Sequence, residues 1–425
     1  MTNPAQRSTG LFPNNLRACL IALGLLCGLT AVTLPSAQAQ TFQVLHYFAN
    51  EIDGAGPWAT VTIDQRGDIY GTTASGGVNN RGTVFKLAQT GSGWVFSSLY
   101  AFTTSEEFNE APLAIGPDGA LYGTTTNGGA AEVGTVYKLH PPANPCRHAP
   151  CYWSENILYT FTGQPDGSIP GYGAVVFDRS GNVYGTTVYG GAGDDGTVYK
   201  LTRSPSGWTE SVAYSLSGGT TGINPFGGVI FDQAGNLYGA ASREGFGSGA
   251  VYELSPSGSG WTPSILFAFP LTSPGDGAYP YGGLVFDASG NLYGTTYQGG
   301  SNHDGVVYQL RPPGGGWQES VLYNFTSYSE FENGYAMARD SAGNLYGTSL
   351  YGGAFQHGNV FKLSFSGGQW VYTDLHDFAG PGDGELPVGG VVVDANGNLY
   401  GATVSGGPVS GTCPDGCGTV WEITP

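Results

Sequence analysis

The sequence predicts an all-β fold, a seven-bladed β-propeller of four-stranded antiparallel blades, because two motifs recur along it at blade-sized intervals. Variants of Asp-x-x-Gly-Asn-Leu-Tyr-Gly place a tyrosine at Tyr70, Tyr122, Tyr184, Tyr238, Tyr293, Tyr346 and Tyr400. Variants of Gly-Thr-Val-Tyr-Lys-Leu end at Leu87, Leu139, Leu201, Leu254, Leu310, Leu363 and Ile423. The tyrosines are 52 to 62 residues apart, and a repeat of roughly 50 residues with short strands and glycine-rich turns has the size of one blade.

The fifth unit shows how one blade is predicted to fold. Residues 283–287 are expected to form a buried innermost strand, and residues 292–296 return after a tight turn. A glycine-rich loop leads to a third strand over residues 306–310, and residues 317–325 form the outer strand. Short runs rich in Val, Tyr and Thr between Gly, Asn and Pro are typical of such strands.

The two ends of the repeat array predict how the ring closes. An outer-strand tryptophan occurs in six units, at Trp94, Trp153, Trp208, Trp261, Trp317 and Trp370. The seventh unit reaches Pro425 just after its third strand, whereas residues 42–48 resemble the outer strands of the other units. We expect this N-terminal strand to complete the last blade, because an open array would expose sheet edges and a hydrophobic face.

A carboxylate recurs in the tight turn of the repeat, and two interpretations of it are open. An aspartate can accept backbone N–H bonds in an Asx-turn, and the glycine that follows supplies a positive φ. A row of acids could instead bind calcium. The second unit has Gly116 at this position, which favours the structural interpretation. The aspartates are Asp64, Asp178, Asp232, Asp287, Asp340 and Asp394.

Composition supports one propeller domain over residues 40–425. Only 11% of the residues are charged, and 73 of the 425 are glycine. Recurring aromatic residues distinguish the chain from a disordered glycine-rich tract. A domain of this size buries a sufficient core without metals or oligomerisation, so we expect a monomer.

Residues 1–39 are predicted to be a signal peptide. Arg7 and Arg17 precede or flank an apolar run over residues 18–34, and an Ala-Gln-Ala cleavage site follows; an uncleaved anchor is the alternative. Cleavage would change the net charge from −18 to −20, which disfavours nucleic acid and anionic lipid as partners. No later apolar run approaches the roughly 18–20 residues of a membrane span. We therefore expect an exported protein, secreted or periplasmic, with no membrane insertion after cleavage.

The combination Asn-Leu-Tyr-Gly-Thr-Thr, Gly-Gly and Gly-Thr-Val-Tyr-Lys-Leu resembles the tandem GloVer repeat of bacterial choice-of-anchor surface proteins. The resemblance covers the whole predicted domain. It implies an exported repeat protein without an established activity. Members often carry a C-terminal sorting domain, whereas this sequence ends on the repeat, so the resemblance favours free secretion or periplasmic residence over surface anchoring.

Four cysteines follow the predicted signal peptide, and two interpretations of them are open. Cys146 and Cys151 enclose one short loop, and Cys413 and Cys417 enclose another. Two local disulfides fit an exported protein. A zinc site built from all four, with His148, is the alternative. It is disfavoured because the two loops project from opposite ends of the strands, about 15–20 Å or more apart.

The candidate binding face is the end of the channel where blade-to-blade loops meet the loops between second and third strands. The residue that begins the innermost strand is aromatic in five units, namely Trp58, Tyr172, Phe226, Tyr281 and Tyr335, and is Leu113 or Val388 in the others. The blade-to-blade loops carry Asp53, Glu107, Asp166, Asp276, Glu332 and Asp383. Such rings could stack on sugars while the carboxylates bind hydroxyl groups. Packing between blades and turn formation are the structural alternatives.

The sequence nominates no nucleophile, metal or cofactor. It contains no His-Glu-x-x-His, no Gly-x-Ser-x-Gly and no phosphate-binding glycine loop. His46 and His376 occupy an outer-strand position usually held by Tyr, where packing is expected. His303 and His357 lie in equivalent loops of neighbouring blades, as solvated side chains or as a pairwise site.

We therefore predict an exported propeller that binds carbohydrate or a surface protein. A carbohydrate-active lyase or hydrolase is one alternative, and a purely structural envelope protein is another. An enzyme would need acids with shifted pKa values converging in a pocket, about 5–10 Å apart for glycoside hydrolysis. A binding module would need an aromatic-rimmed cleft without such a pair.

Overall fold

The structure is a computed structural model, and it describes residues 40–103, 110–142, 152–219, 221–243, 247–270, 275–312, 316–326 and 336–425. Within these ranges the chain forms strands and turns without a helix, arranged as seven four-stranded antiparallel blades. The predicted seven-bladed β-propeller is confirmed. The predicted signal peptide lies outside the described residues. No helix in the described part is long and apolar enough to cross a membrane.

The strands are numbered in chain order, beginning with β1 (Thr41–Tyr47). Blade 1 contains β2 (Thr62–Ile63), β3 (Ile69–Thr73), β4 (Thr83–Thr90) and β5 (Gly93–Ala101). Blade 2 contains β6 (Ala114–Ile115), β7 (Leu121–Thr125), β8 (Thr135–His140) and β9 (Ser154–Thr160). Blade 3 contains β11 (Val176–Phe177), β12 (Val183–Gly190), β13 (Thr197–Ser204) and β14 (Gly207–Ser215), and β10 (Gly167–Pro170) also pairs with β12.

Blade 4 contains β15 (Ile230–Phe231), β16 (Leu237–Ala241), β17 (Ala250–Ser257) and β18 (Gly260–Ala268). Blade 5 contains β20 (Val285–Phe286), β21 (Leu292–Thr295), β23 (Val306–Arg311) and β24 (Gln318–Asn324), while β19 (Gly277–Ala278) pairs with β22 (Gln298–Gly299). Blade 6 contains β25 (Ala338–Arg339), β26 (Leu345–Ser349), β27 (Asn359–Ser366) and β28 (Gln369–Asp377). Blade 7 contains β29 (Val392–Val393), β30 (Leu399–Thr403), β31 (Thr419–Thr424) and β1.

Ring closure occurs as predicted. Strand β1 pairs antiparallel with β31, with Phe42 opposite Ile423 and Val44 opposite Trp421. The chain continues into Phe48, which is only 2% exposed and packs its ring 5.2 Å from that of Phe85 in blade 1. The N-terminal strand therefore completes blade 7 and packs against the first blade.

The innermost strands are shorter and more exposed than predicted. The expected buried strand over residues 283–287 is only the two-residue β20, and both its residues are half-buried. The reason is the central channel, which contains a cavity of about 460 Å³ lined by inner-strand residues such as Ile63, Ile230 and Val393.

The glycine of the repeat motif is explained by the strand beside it. In every blade this glycine lies directly opposite an aromatic residue of the third strand, as Gly239 lies opposite Tyr252. A Cβ atom at Gly239 would lie 2.4 Å from the Tyr252 hydroxyl, so no side chain fits there. The seven third-strand aromatics are Phe85, Tyr137, Tyr199, Tyr252, Tyr308, Phe361 and Trp421, and all are buried.

The repeated carboxylate forms the turn between the first two strands. Asp287 Oδ1 accepts the N–H groups of Ser289 and Asn291 at 2.8 and 2.9 Å, and its Oδ2 accepts the Tyr293 hydroxyl at 3.0 Å. Burial acts to raise the pKa of Asp287, but hydrogen bonds from Asn291 and Tyr293 outweigh it and lower that pKa below its ordinary value. Turn formation thus accounts for the motif.

Blade 2 corrects the interpretation of Gly116. The carboxylate is not lost there, because Asp118, two residues later, takes its place. Asp118 accepts the Ala120 N–H at 3.3 Å and the Tyr122 hydroxyl at 3.2 Å, and it pairs with Lys138. Because the turn of blade 2 also contains an acid, Gly116 is not evidence against calcium binding by the repeated carboxylates. The evidence for a structural role is the hydrogen bonds that these carboxylates accept within their turns.

The outer strands of neighbouring blades meet at seams, where one residue of each outer strand contacts the next blade. Tyr100 donates its hydroxyl to Glu155 at 2.7 Å, across the first seam. On the two sides of blade 7 the same position holds histidine. His376 stacks on Phe42 with ring centroids 3.6 Å apart, and His46 stacks on Phe96 at 4.0 Å. The predicted packing role of both histidines is confirmed.

Glu319 lies at the seam between blades 4 and 5. Burial, with the nearby Asp276 adding to it, raises the pKa of Glu319 to about 7, although its Oε1 accepts the Gly277 N–H at 3.3 Å. The folded chain therefore holds a proton on Glu319 that the unfolded chain, with an ordinary pKa, releases at lower pH. The free energy of unfolding should fall as the pH rises from the ordinary glutamate pKa through about 7.

Replacing Glu319 with glutamine should remove this fall in the free energy of unfolding with rising pH. At ~1.4 kcal/mol for each pKa unit, the group accounts for about 2 kcal/mol of destabilisation between about pH 5.5 and about pH 8. We expect Glu319→Gln to flatten the pH dependence of urea unfolding by that amount and to stabilise the protein at the higher pH. Glu51→Gln, at an exposed position, is the control. Equal slopes for Glu319→Gln and the parent chain would contradict the prediction.

Candidate functional site

The structure brings the blade-to-blade loops and the loops between second and third strands together at one end of the channel, which we term the top face. Short antiparallel bridges join the two kinds of loop in several blades. Ala55 pairs with Ser75 in blade 1, and Ile223 pairs with Arg243 in blade 4. In blade 5 the pairing is the β19–β22 ribbon. The candidate residues of the sequence therefore lie on a braced surface.

Three of the predicted aromatic residues form a stacked row on the top face. Tyr172 and Phe226 have ring centroids 5.8 Å apart with planes 7° from parallel. Phe226 and Tyr281 are 4.5 Å apart at 19°, and Tyr281 meets Tyr297 at 5.5 Å with a tilt of 46°. We call Tyr172, Phe226, Tyr281 and Tyr297 the aromatic row.

The aromatic row bears on both interpretations of these residues. Phe226 lies between Tyr172 and Tyr281, and all three side chains are half-buried. Contact between neighbouring blades therefore covers part of each ring and leaves part of it accessible. Trp58, at the equivalent position of blade 1, is half-buried, and Leu113 and Val388 are buried. Tyr335 lies outside the described residues.

A pocket of about 430 Å³ opens beside the row, between blades 4 and 5, and we call it the blade 4–5 pocket. Its lining residues are Ile223, Arg243, Gly247, Tyr279, Tyr281, Tyr297 and Gln298. Pockets of about 300–1,000 Å³ with aromatic walls and a few polar groups are typical small-ligand sites. The described lining contains no carboxylate.

The backbone at Tyr279 holds the pocket in a strained shape. Tyr279 has a φ of 58°, which is uncommon for a bulky residue. Its N–H donates to the Ser248 carbonyl at 2.5 Å, and its carbonyl accepts the Tyr297 N–H at 2.9 Å. Equivalent residues before proline have similar φ values, such as 56° at Asn224. The conformation belongs to the fold, but only blade 5 places a tyrosine in it.

The other end of the aromatic row carries an acid. The Tyr172 hydroxyl donates a hydrogen bond to Glu110. Burial raises the pKa of Glu110 despite this bond, and burial together with the carboxylate raises the pKa of Tyr172 to about 12. Glu110 was not a candidate from the sequence, because it lies three residues after the acid that the repeat aligns, Glu107.

The predicted blade-to-blade carboxylates mostly act as turn formers. Asp166 accepts the Thr162 N–H at 2.8 Å and the Tyr159 hydroxyl at 3.0 Å. Asp383 accepts the Ala379 N–H at 2.9 Å and bonds His376 Nε2 at 2.9 Å. Their side chains therefore brace their own loops.

The remaining acids in this set fall into three groups. Asp53 bonds the Ala49 N–H at 3.0 Å and His46 Nε2 at 3.2 Å, in the same way as Asp383. Asp276 lies beside Glu319 at the seam. Glu107 and Glu332 lie outside the described residues.

One of the two predicted disulfides is confirmed. Cys413 and Cys417 are bonded, with Cα atoms 5.3 Å apart, and both are buried. The Cys417 carbonyl accepts the Gly56 N–H at 2.9 Å, which ties blade 7 to the loop that carries Trp58. Bonded sulfurs are not thiolate ligands, so the four-cysteine zinc interpretation does not apply to this pair. Cys146, Cys151 and His148 lie outside the described residues.

The loop histidines are explained locally. His357 Nδ1 lies 2.8 Å from Glu385 Oε2, and His303 is an exposed turn residue with a φ of 67°. Within the described ranges, no three His, Cys, Asp or Glu side chains come together as a metal site.

Comparison with known proteins identifies a family and a fold. The family model described as the Gloeobacter/Verrucomicrobia repeat matches residues 29–149 and 147–332. An ulvan lyase, a polysaccharide lyase bound to -[GlcA(1-4)Rha3S]-, is 10% identical, with 89% of this chain and 95% of that chain covered at a TM-score of 0.51. A gluconolactonase from Xanthomonas campestris is 13% identical, with 91% and 89% covered at a TM-score of 0.40. Such low identity shows a shared fold alone. No curated relative matches the sequence.

Proposed function

The chain belongs to the Gloeobacter/Verrucomicrobia repeat family, and we propose that it is an exported module that binds carbohydrate on the top face of its propeller. The observation that carries the proposal is the blade 4–5 pocket, which Tyr279, Tyr281 and Tyr297 line together with Arg243 and Gln298. Sugars present C–H faces and hydroxyl edges, so aromatic walls with a few directed polar groups suit them.

The distribution of carboxylates favours binding over catalysis. Glycoside cleavage by the common mechanism uses two carboxyl groups on opposite sides of the scissile bond. The described lining of the blade 4–5 pocket has none. The carboxyls whose pKa values are raised to about 7, Glu210 and Glu319, lie on the outer strands β14 and β24, and neither lines the blade 4–5 pocket. A lyase or hydrolase would need its acids elsewhere.

Export is the other half of the proposal. The Cys413–Cys417 disulfide supports it, because structural disulfides persist in oxidising compartments such as the periplasm and the extracellular space. The predicted signal peptide over residues 1–39 gives the route.

A glycan array with two matched variants tests the function. Tyr281 and Trp58 hold equivalent positions in the repeat, but only Tyr281 lines the blade 4–5 pocket. We expect the parent protein to bind a subset of glycans, Tyr281→Ala to weaken that binding about tenfold or more, and Trp58→Ala to retain it. Circular dichroism confirms that both variants fold. Absence of glycan binding, or equal binding by the parent and Tyr281→Ala, would overturn the proposal.

A further inference from the structure

We infer that the ligand of the blade 4–5 pocket carries an acidic substituent, a uronate carboxylate or a sulfate ester, and that the guanidinium of Arg243 binds it. The inference rests on the proposed function, since it names the class of sugar bound at that site. It begins from the state of Arg243, which is exposed and, within the described ranges, has neither an ion pair nor a side-chain hydrogen bond.

Two hydrogen bonds fix the backbone of Arg243, and its guanidinium has no partner among the described residues. Its carbonyl accepts the Ile223 N–H at 2.5 Å, and its N–H donates to the Ile223 carbonyl at 3.2 Å. This bridge holds the residue at the pocket from the blade 4 side. A charge on a braced backbone loses less conformational freedom on binding than one on a mobile loop.

Three cations elsewhere on the chain have acidic partners. Lys86 Nζ lies 2.6 Å from Asp68, Arg66 contacts Asp64 at 3.1 Å, and Lys138 pairs with Asp118. Arg243 has no such partner in the described ranges, and it lies beside three tyrosines in the blade 4–5 pocket. The guanidinium fork matches a carboxylate or a sulfate with paired, charge-assisted hydrogen bonds.

The repeat itself makes Arg243 specific to this pocket. It lies five residues after the tyrosine of the repeat motif, at a position where the other blades have neutral side chains, namely Ser75, Asn127, Tyr189, Gln298, Tyr351 and Ser405. The other lining residues that the structure describes are also neutral. Among the seven equivalent positions of the repeat, only that of blade 4 therefore brings a positive charge.

The end of the aromatic row at Tyr172 favours one orientation of the bound ligand. Glu110, hydrogen-bonded by Tyr172, would repel an acidic group placed there, whereas Arg243 would attract it. The net charge of −18 also opposes long polyanions held by general attraction. The structure thus favours an oligosaccharide whose acidic unit lies in the blade 4–5 pocket.

Two matched pairs of oligosaccharides distinguish the sources of the acid. The first pair is tetragalacturonic acid and its methyl ester, which differ in the carboxylate. The second is a κ-carrageenan tetrasaccharide and its desulfated form, which differ in the sulfate. Affinities are measured by calorimetry for the parent, Arg243→Gln and Arg203→Gln. Arg203 is an exposed arginine on β13, and it serves as the control.

We expect the parent to bind one acidic form about 10–100-fold more tightly than its neutral match, as a charge-assisted hydrogen bond of ~1.5–3 kcal/mol implies. Arg243→Gln should abolish that preference, and Arg203→Gln should keep it. Neutral forms that bind the parent as tightly as acidic forms, or a preference that survives in Arg243→Gln, would overturn the inference. In either case, binding that Tyr281→Ala still weakens would leave the proposed function standing. Failure of every oligosaccharide to bind would overturn the inference, whereas absence of binding on the glycan array would overturn the proposed function.

Discussion

Replacement of Phe48 by alanine is expected to lower the free energy of unfolding by about 3–5 kcal/mol, the range for a fully buried phenylalanine. Phe48 is 2% exposed, and its ring meets Phe85 at 5.2 Å and Phe96 at 6.0 Å. Because it directly follows the closing strand β1, its loss removes the packing between the last blade and the first.

The neighbouring residue provides a matched control on the opposite face. Tyr47 is 41% exposed and donates its hydroxyl to the Gly382 carbonyl at 3.0 Å. Tyr47→Ala should cost no more than about 1 kcal/mol. Urea unfolding followed by tryptophan fluorescence measures both variants. A Phe48→Ala variant within about 1 kcal/mol of Tyr47→Ala would show that closure does not depend on this contact.

Closure of the propeller ring was predictable because the seventh unit lacks an outer strand and the N-terminal segment resembles one. The match of residues 42–48 to the outer strands needs only the repeat alignment, and the pairing of Phe42 with Ile423 confirms it. The turn role of Asp287 was predictable for the same reason, since its partners are two to six residues away. Local chemistry repeated seven times leaves little ambiguity.

The binding pocket could not be predicted because it is formed where the repeats differ. Arg243 and Tyr279 lie in different blades and meet only after each blade-to-blade loop folds back on its neighbour. The single available signal was the charge of Arg243 at a position that is otherwise neutral. Comparison of the first residue of each innermost strand identified Tyr281 as a candidate. Tyr279, Tyr297 and Gln298 lie at other positions of the repeat, so that comparison missed them.

Other errors arose from treating the repeat as exact. Asp118 replaces Gly116 from two residues downstream, so an alignment column without an acid did not mean a turn without one. Glu110 was overlooked in the same way, three residues beyond Glu107. Asp118 therefore supplies the carboxylate that the turn needs from a different position in the sequence. Glu110 supplies a carboxylate at a position that the repeat alignment does not mark.

Gly173→Ala should disturb the fold and the aromatic row together. A Cβ atom at Gly173 would lie 1.9 Å from the backbone nitrogen of Gly228 in the next blade, so the backbone of one blade would have to shift. Directly beside it, the Tyr172 N–H donates to the Phe226 carbonyl at 2.8 Å. The absence of a side chain at Gly173 therefore lets two blades approach closely enough for Tyr172 to stack on Phe226.

We expect Gly173→Ala to lower the free energy of unfolding by about 3 kcal/mol or more, at the upper end for inserting a methyl group into a packed site. Gly91→Ala, where a Cβ atom would meet nothing within 4 Å, should be neutral or slightly stabilising. Thermal unfolding measures both. Near-ultraviolet circular dichroism then reports the aromatic stack, and its signal should change in Gly173→Ala alone. A Gly173→Ala protein as stable as Gly91→Ala would mean that the blades do not approach this closely, and the stacked row that borders the proposed site would lose its structural basis.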